Sequence, residues 1–422
     1  MNVIQTYGKF IKKTAQEKPE RSWKMIQVGI RANQFKTGLL PNKSLAHGYQ
    51  KLEHLVMQMT TKALKHPETY VWGNIFAPVE LFRCFGLNSV SIECFASFLS
   101  GMQCEDYFID YAQSEGIAPT LCSYHKGFIG AVDAGAIPVP SFAVTTSLTC
   151  DGNLNTFRYL CKEKNIDFCL LDIPYDTGED AVRYVELQLE EMIKQLEDKY
   201  HKKLDRSELK HTLERENQSK EYLKEFLELQ KSIWYPGSLT AQLYMLFATH
   251  LDIGTKEVLD LFRFMKDDIR KYPKFTGKKI LWVHLLPYYQ ETLKQYFNAN
   301  EKYQVIANDT VIDYMQPLDI EKPIWSLAKK MVHNLYNGSY ERKIDRVSEL
   351  VDELEPDAVI NFCHWGCKQS SGGSVMLKEA MQKKDIPTLI LDGDAMDRRN
   401  SHDGQIKTRL EAFLELINEE VS

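Results

Sequence analysis

Apolar side chains recur at helical spacing through the first part of the chain. In residues 22–30 and 51–65 they lie three and four positions apart, the period of an amphipathic helix. After residue 69 the pattern changes to short apolar runs separated by helical stretches. The runs lie at 70–73, 89–92, 141–149 and 168–173. Strands that alternate with helices through short loops predict a parallel sheet.

Long helices with dense mixed charge follow this region, and their charges are most simply solvated faces. A second set of apolar runs then begins near residue 278 and continues to about residue 391. The pattern therefore predicts an α/β protein with two parallel-sheet domains. We assign a helical N-terminal segment, a first α/β domain, a helical middle segment and a second α/β domain, at residues 1–68, 69–195, 196–274 and 275–422.

Composition and charge narrow the class of protein. The chain has 422 residues, of which 44% are hydrophobic and 26% charged, as in an ordinary globular protein. A formal net charge of −6 argues against nucleic-acid binding as the main role. No apolar run reaches the roughly 18 residues of a membrane span, and no secretory signal opens the sequence. We therefore expect a cytoplasmic protein without a membrane partner.

Nine cysteines are notable for a chain in a reducing compartment, where disulfides are rare. Most free cysteines are small buried apolar residues. We expect this role for five of them, namely Cys84, Cys94, Cys104, Cys161 and Cys169.

The other four cysteines share a different kind of position. Cys122, Cys150, Cys363 and Cys367 each lie at a strand end or in the loop that leads to the next helix. Ligands of open α/β sheets bind at such loops. These thiols are either buried helix-start residues, a catalytic nucleophile or soft ligands for zinc, copper(I) or an iron–sulfur cluster. The sequence alone leaves these readings open.

Motif spacing excludes several common sites. There is no GxGxxG after a strand, no GxxxxGK[ST] and no GxSxG. Cys363 and Cys367 form CxxxC, which differs from the CxxC of thioredoxin-like proteins and zinc ribbons. Three thiolates on a four-iron cluster would leave one iron open, whereas four would close the site.

Two further stretches carry candidate chemistry. Glu80 follows Pro78 in the first turn of a predicted helix, where it is either a helix-capping acid or a carboxylate at the mouth of the sheet. Residues 404–409 open the last helix with basic and amide side chains after the acidic stretch 391–397. This start suits an anionic group such as a phosphate, and the alternative is a network of Asp–Arg pairs.

A family resemblance becomes specific at the C-terminal motifs. Cys-His-Trp-Gly-Cys-Lys-Gln-Ser at 363–370, Leu-Asp-Gly-Asp at 391–394 and Gly-Gln-Ile-Lys-Thr-Arg at 404–409 resemble the 2-hydroxyacyl-CoA dehydratase family. That family includes 2-hydroxyglutaryl-CoA dehydratase subunits (the D-component among them), benzoyl-CoA reductase subunits and double-cubane cluster proteins. Leu-Cys at 121–122 and Thr-Cys-Asp-Gly at 149–152 resemble its earlier cysteine motifs. Trp72-Gly73 with Pro78 to Leu81 is similar to its N-terminal substrate-side motif.

The resemblance implies two Rossmann-like (flavodoxin-like) domains that hold a [4Fe-4S] cluster. Its ligands would be Cys122, Cys150 and one of Cys363 and Cys367, a choice that stays open. Ser-Tyr-His-Lys at 123–126 departs from the commonest family sequence, so a double-cubane [8Fe-9S] cluster stays an alternative. Glu80 would be a catalytic carboxylate on the substrate side.

The resemblance also implies partners and a reaction. A homologous second dehydratase subunit pairs with the chain, and a separate ATP-hydrolysing iron–sulfur activator supplies one electron. The cluster passes this electron to an acyl-CoA thioester, which becomes a ketyl radical anion. The radical anion acidifies the β-hydrogen and lets the α-hydroxyl leave, so that water is lost, and the electron is then recovered. The alternatives are a low-potential reductase of the same architecture and a non-catalytic partner subunit.

Overall fold

The computed structural model describes residues 3–419, and two parallel four-stranded sheets form its frame. The outermost residues of the predicted terminal segments, 1–2 and 420–422, lie outside the described part. In the first sheet the strands run in the order β2-β1-β3-β4, with every neighbouring pair parallel. Its strands are β1 (Tyr70–Gly73), β2 (Asn88–Ser91), β3 (Phe142–Thr146) and β4 (Asp167–Leu171).

The second sheet repeats the same order, β6-β5-β7-β8, again with parallel neighbours. Numbered within each sheet, both orders read 2-1-3-4, which is the beginning of the flavodoxin-like order. The predicted fold class, α/β with two Rossmann-like parallel-sheet domains, is confirmed. The strands are β5 (Lys278–Val283), β6 (Tyr303–Asn308), β7 (Ala358–His364) and β8 (Thr388–Gly393).

Helices account for the rest of the regular structure. Three form the N-terminal segment: α1 (Val3–Glu17), α2 (Pro19–Leu39) and α3 (His47–Lys65). Five accompany the first sheet: α4 (Val79–Cys84), α5 (Ile92–Gly101), α6 (Glu105–Ser114), α7 (Ser123–Asp133) and α8 (Asp151–Lys164). Four long helices lie between the sheets in sequence: α9 (Glu179–Tyr200), α10 (Arg206–Gln230), α11 (Leu239–His250) and α12 (Lys256–Asp268).

The remaining helices belong to the second sheet. They are α13 (Glu291–Phe297), α14 (Pro323–Val332), α15 (Tyr340–Leu354), α16 (Lys368–Ser371), α17 (Ser374–Gln382) and α18 (Asp403–Glu419). Helix α9 packs against α14, and α12 packs against α3, so the helices join the two sheets and the N-terminal segment. The exact domain bounds that the sequence suggested stay a prediction. Within residues 3–419, no helix combines the length and the apolar character that a membrane crossing requires.

Burial explains why the central strands read as apolar runs. Every residue of β1, β3 and β7 is buried, because helices cover both faces of a parallel sheet. One fully buried tryptophan anchors each sheet: Trp72 packs edge-on against Phe128, and Trp282 packs edge-on against Phe297. These contacts fix the helices on the sheets and thereby the loops that follow the strands.

The strand order creates a switch point in each sheet. Successive connections leave β1 and β3 in opposite directions, and the same holds for β5 and β7. A crevice therefore opens beyond the carboxyl ends of each pair, the usual ligand site of such folds. The loops after β3 and β7 carry Cys150 and Cys367 to these crevices.

Candidate metal centre and adjoining cavity

Three of the four loop cysteines come together from separate elements. Cys122 is the residue immediately before α7, Cys150 immediately before α8, and Cys367 immediately before α16. Cys122 and Cys150 thus lie at the N-termini of two full helices, where aligned peptide dipoles favour a thiolate over a thiol. The first sheet contributes two of the thiols and the second sheet contributes the third.

An imidazole lies against each of these three sulfur atoms. His364 Nε2 is 3.1 Å from Cys122 Sγ, and His284 Nε2 is 3.3 Å from Cys367 Sγ. His125 Nε2 is 3.6 Å from Cys150 Sγ. His364 ends β7 in the second sheet, so its contact with Cys122 bridges the two domains.

The hydrogen bonds of His364 fix which ring nitrogen carries its proton. The backbone N–H of Ala395 donates to Nδ1 over 3.0 Å, so Nδ1 is an acceptor. Burial holds the pKa of His364 below its ordinary value, against the pull of the Asp394 carboxylate, which keeps the ring neutral. The proton is therefore on Nε2, which donates to the sulfur of Cys122.

Burial and mutual proximity keep the free thiols protonated. Burial raises the pKa of Cys122 well above its ordinary value, and the neighbouring Cys367 and Cys150 thiols raise it further. Burial, then Cys367, raises the pKa of Cys150 to about 12. A cationic centre among these sulfurs would reverse the balance, because ligation replaces the thiol protons with metal charge.

Cys363 lies nearby but is engaged elsewhere. It lies within β7, where its thiol donates to the carbonyl of Ser370 over 3.3 Å and accepts from the Asn361 side-chain amide over 3.3 Å. Its pKa is raised by burial. Gly366, between the two cysteines of the loop, has a φ of +80°, and a Cβ there would lie 2.7 Å from the backbone nitrogen of Cys122. This glycine lets the two cysteine loops approach closely.

The donor set suits a cluster better than a single ion. No three His, Cys, Asp or Glu side chains between residues 3 and 419 converge tightly enough to hold one metal ion. A four-iron cluster is wider than an ion, so its thiolate ligands stand further apart. Beside Cys367, buried polar atoms also lack hydrogen-bond partners, among them His284 Nδ1 and the hydroxyl of Tyr340. Such unsatisfied polar groups fit a site that holds a bound group.

The other five cysteines are buried within the hydrophobic core, as the sequence predicted. Each is at most 7% exposed. They are Cys84, Cys94, Cys104, Cys161 and Cys169.

A cavity opens beside this group of thiols, between the loop after β1 and helices of the middle and C-terminal regions. Its empty space is about 680 Å³ with the open mouth included. Leu148, two residues before Cys150, forms part of its wall. Tyr336 connects cavity and thiols, since its ring lies 5.9 Å from that of Phe76 in the cavity and 5.7 Å from that of His284.

Glu80 lies in this cavity at the start of α4, and it is not a helix-capping acid. The residue before α4 is Pro78, and no side chain caps this helix. Lys330 Nζ donates to Glu80 Oε1 over 2.7 Å and to Glu216 Oε1 over 2.8 Å. Lys220 forms a second ion pair with Glu216 at 2.9 Å. Glu80 therefore ends a buried chain of alternating charges.

This buried chain of alternating charges shifts the pKa values of its two carboxyl groups, Glu80 and Glu216, in opposite directions. Burial raises the pKa of Glu80, and Lys330 only partly opposes this effect. Glu216 is equally buried, but Lys220 and Lys330 together outweigh burial and lower its pKa. Two carboxyl groups with opposite shifts are the arrangement that assigns one of them to proton transfer.

Sequence reasoning missed the partners of Glu80. Glu216 lies on α10, in the region whose charges were interpreted as solvated faces, and Lys330 lies on α14, 250 positions from Glu80. The available signal was a break in amphipathic pattern, because Glu216 and Lys220 fall one turn apart on the buried face of α10. His125 and His364 are each close to a cysteine in sequence, but the sequence did not predict their contacts with the sulfur atoms of Cys150 and Cys122.

The basic start of the last helix forms the network of Asp–Arg pairs rather than a free anion site. Arg409 pairs with Asp392 and with the carbonyl of Ile390. Arg399 pairs with Asp397 at 2.9 Å. Within the described chain, these guanidinium groups are already neutralised by carboxylates.

Comparison with known proteins identifies the family. The family model of the 2-hydroxyglutaryl-CoA dehydratase D-component matches residues 74–417. The (R)-phenyllactyl-CoA dehydratase alpha subunit of Clostridium sporogenes is 23% identical over 403 residues, covering 89% of this chain and 96% of its own. The (R)-2-hydroxyisocaproyl-CoA dehydratase alpha subunit of Clostridioides difficile is 22% identical over 384 residues, covering 85% and 92%.

A third relative agrees with these two. The lactoyl-CoA dehydratase subunit alpha of Anaerotignum propionicum is 20% identical over 396 residues and covers 85% of this chain and 93% of its own. The resemblance that the cysteine and C-terminal motifs suggested is therefore confirmed. The chain is a member of the 2-hydroxyglutaryl-CoA dehydratase D-component family.

Proposed function

We propose that the chain is a subunit of a 2-hydroxyacyl-CoA dehydratase, a hydro-lyase that removes water from a 2-hydroxyacyl-CoA to give the 2-enoyl-CoA. One observation carries the proposal: three thiols from three helix starts are neighbours, and Leu148, two residues before one of them, lines a cavity that holds a buried carboxyl group. The names of the relatives support the reaction class.

The group for this site is an iron–sulfur cluster on Cys122, Cys150 and Cys367. These three residues favour a [4Fe-4S] cluster with one iron free of protein thiolate, and an [8Fe-9S] double cubane stays the alternative. When bound, such a cluster would supply the single electron that makes the thioester reactive and recover it afterwards. The imidazoles that face the sulfurs would donate hydrogen bonds and orient them, as outer partners of metal ligands do.

Glu80 is the proton-transfer residue of this proposal. Dehydration breaks one C–H bond at the β-carbon and the C–O bond at the α-carbon, and the released proton and hydroxide leave as water. A carboxyl group with a raised pKa can accept the first proton and return it to the departing hydroxyl. Lys330 orients this carboxyl group through its 2.7 Å hydrogen bond.

The remaining partners complete the system. A second, homologous subunit is proposed because all three relatives are named as alpha subunits. A separate ATP-dependent iron–sulfur activator is proposed as the electron source, since the chain has no phosphate-binding GxxxxGK[ST] loop of its own. The proposed compartment is the cytoplasm.

Iron and sulfide content after anaerobic reconstitution tests the metal centre. We expect wild-type protein to be brown, with about four irons and four sulfides for one [4Fe-4S] cluster. Cys122→Ser, Cys150→Ser and Cys367→Ser should each lose most of the iron. Cys363→Ser is the matched control and should keep its iron, because Cys363 is only four positions from Cys367 but lies in β7, where its thiol is bonded to the carbonyl of Ser370. A colourless wild-type protein, or equal iron loss in all four variants, would contradict the assignment.

Product analysis with the partner subunit, activator and ATP tests the reaction. A dehydratase releases water and enoyl-CoA with no net consumption of electrons, whereas a reductase consumes electrons in proportion to product. If the chain is a non-catalytic subunit, Cys122→Ser and Cys150→Ser should leave the activity of the complex unchanged.

A substitution at Glu80 tests the proton-transfer role. Glu80→Gln should lower turnover by about 100-fold or more, the usual contribution of a positioned acid–base group, while leaving the iron content intact.

A further inference from the structure

The walls and the charged groups of the cavity beside Glu80 indicate what kind of acyl group enters it. The walls are apolar over most of their extent and come from the loops after three strands and from five helices, α4, α10, α11, α12 and α14. Six of these residues are Phe76, Leu148, Leu223, Val311, Leu327 and Met331. Such walls recognise a hydrocarbon chain by burial of apolar surface.

Every cation that lines the cavity already has a carboxylate partner. Lys330 contacts Glu80 and Glu216, as described above. Lys220 contacts Glu216 at 2.9 Å, donates to the carbonyl of Gln316 and lies 4.9 Å from the centre of the Tyr314 ring.

The remaining basic side chain of the lining also has a carboxylate neighbour. His250 Nε2 lies 3.1 Å from Asp313 Oδ2, and Asp313 also accepts from the Asn334 amide. Arg83, which does not line the cavity, is held by two backbone carbonyls and lies 4.0 Å from Asp252. No lining cation within the described chain is left to neutralise an added negative charge.

The unsatisfied group in this cavity is an acceptor. Glu216 Oε2 is fully buried and has no hydrogen-bond partner. It suits a donor such as a hydroxyl group and repels a second carboxylate. A buried carboxylate that meets no counter-charge is strongly disfavoured, whereas a hydrocarbon chain is not.

We propose that this cavity binds 2-hydroxyacyl thioesters with an uncharged, mainly apolar side chain and rejects dicarboxylic ones such as 2-hydroxyglutaryl-CoA. The inference rests on the proposed function and specifies its substrate class. It differs from the substrate in the name of the family, whose acyl group carries a free carboxylate.

Binding without turnover tests the inference. In the absence of activator, the reconstituted anaerobic complex is titrated calorimetrically with (R)-2-hydroxy-4-methylpentanoyl-CoA and with (R)-2-hydroxyglutaryl-CoA. We expect the neutral thioester to bind at least about 100-fold more tightly, because the second carboxylate would be buried without a partner. Equal affinities, or tighter binding of the glutaryl thioester, would overturn the inference and leave the dehydratase proposal intact.

A gain-of-binding variant sharpens the test. Met331→Lys places a cation of similar length in the apolar wall. It should strengthen binding of the glutaryl thioester and so reduce the difference in affinity between the two thioesters to within about 10-fold. Met331→Gln is the matched neutral control and should leave the preference as in wild type. Improvement by both variants alike would argue against charge as the cause. If neither thioester binds wild-type protein that carries its iron, the proposed function itself fails and the inference with it.

Discussion

Replacing Lys330 with methionine tests the buried chain of charges directly. The Lys330 side chain is 23% exposed, whereas those of its partners Glu80 and Glu216 are 2% and 0% exposed. Methionine keeps the length and the apolar stem but removes the charge. Glu216 retains Lys220, whereas Glu80 loses the only cation within ion-pair distance that the described chain gives it.

The expected loss follows from leaving a buried carboxyl group unpaired. Removing one partner of a buried ion pair costs about 3–5 kcal/mol of the free energy of unfolding. The partial exposure of Lys330 and the remaining Lys220–Glu216 pair place the expected loss near the lower end, at about 3 kcal/mol.

The loss should grow with pH. Burial already raises the pKa of Glu80, and removing Lys330 raises it further. A folded-state pKa above the unfolded value gives stability that is complete below the unfolded pKa and is lost as pH rises through the folded pKa. The variant should therefore lose about 1.4 kcal/mol per pH unit between these two pKa values.

Urea unfolding followed by circular dichroism at pH 5.5, 7.0 and 8.5 measures both effects. The double variant Lys330→Met with Glu80→Gln should recover most of the stability and lose the added pH dependence, since no unpaired charge stays buried. Lys13→Met removes an exposed pair with Glu17 and should change stability by less than about 0.5 kcal/mol. Equal losses in the single and double variants, or a loss independent of pH, would refute the reasoning.

Two further predictions concern backbone geometry and pH. Gly366→Ala should destabilise the protein by about 1–3 kcal/mol and lower its iron content, because its φ is +80° and its Cβ would meet the Cys122 backbone. Gly116 has a φ of +94° with open space around it, so Gly116→Ala is the control and should lower the free energy of unfolding by only about 1 kcal/mol without loss of iron. Thermal unfolding and iron analysis measure both variants, and equal effects of the two substitutions would contradict this prediction. Burial raises the pKa of Asp252 from 3.8 to about 6 against the pull of Arg83, so the contribution of Asp252 to wild-type stability should fall by about 3 kcal/mol as pH rises between these values. Asp252→Asn should remove that slope in urea unfolding, and an unchanged slope would refute the assignment.

The strands of the two parallel sheets were predictable because the local pattern of apolar residues marks them. Parallel strands such as β3 and β7 are covered on both faces, so their sequences are apolar throughout and stand out between helical patterns. Chain order then places the following loops at one edge of each sheet. The position of Cys150 at the helix start after β3 followed from this rule, whereas Cys122 lies in the loop between α6 and α7.

The choice between Cys363 and Cys367 as the thiol that meets the other two could not be predicted in the same way. The two cysteines are only four positions apart, and the end point of β7 decides that Cys363 stays in the strand while Cys367 lies in the loop that follows. The residue that allows the approach is Gly366, whose positive φ brings the loop against Cys122. Neither effect leaves a periodic pattern in the sequence.

By itself, the sequence determined the two parallel sheets, the set of candidate cysteines and the position of Glu80 near the sheet edge, because these depend on local periodicity and on loop position. Only the tertiary structure decided the surroundings of Glu80. Lys330 is 250 positions from Glu80 and Glu216 is 114 positions from Lys330, and packing of α10 and α14 brings all three into one buried chain. The physical reason is that burial removes water as the alternative partner. A charge that water would solvate on the surface must, once buried, pair with a residue that the fold places beside it.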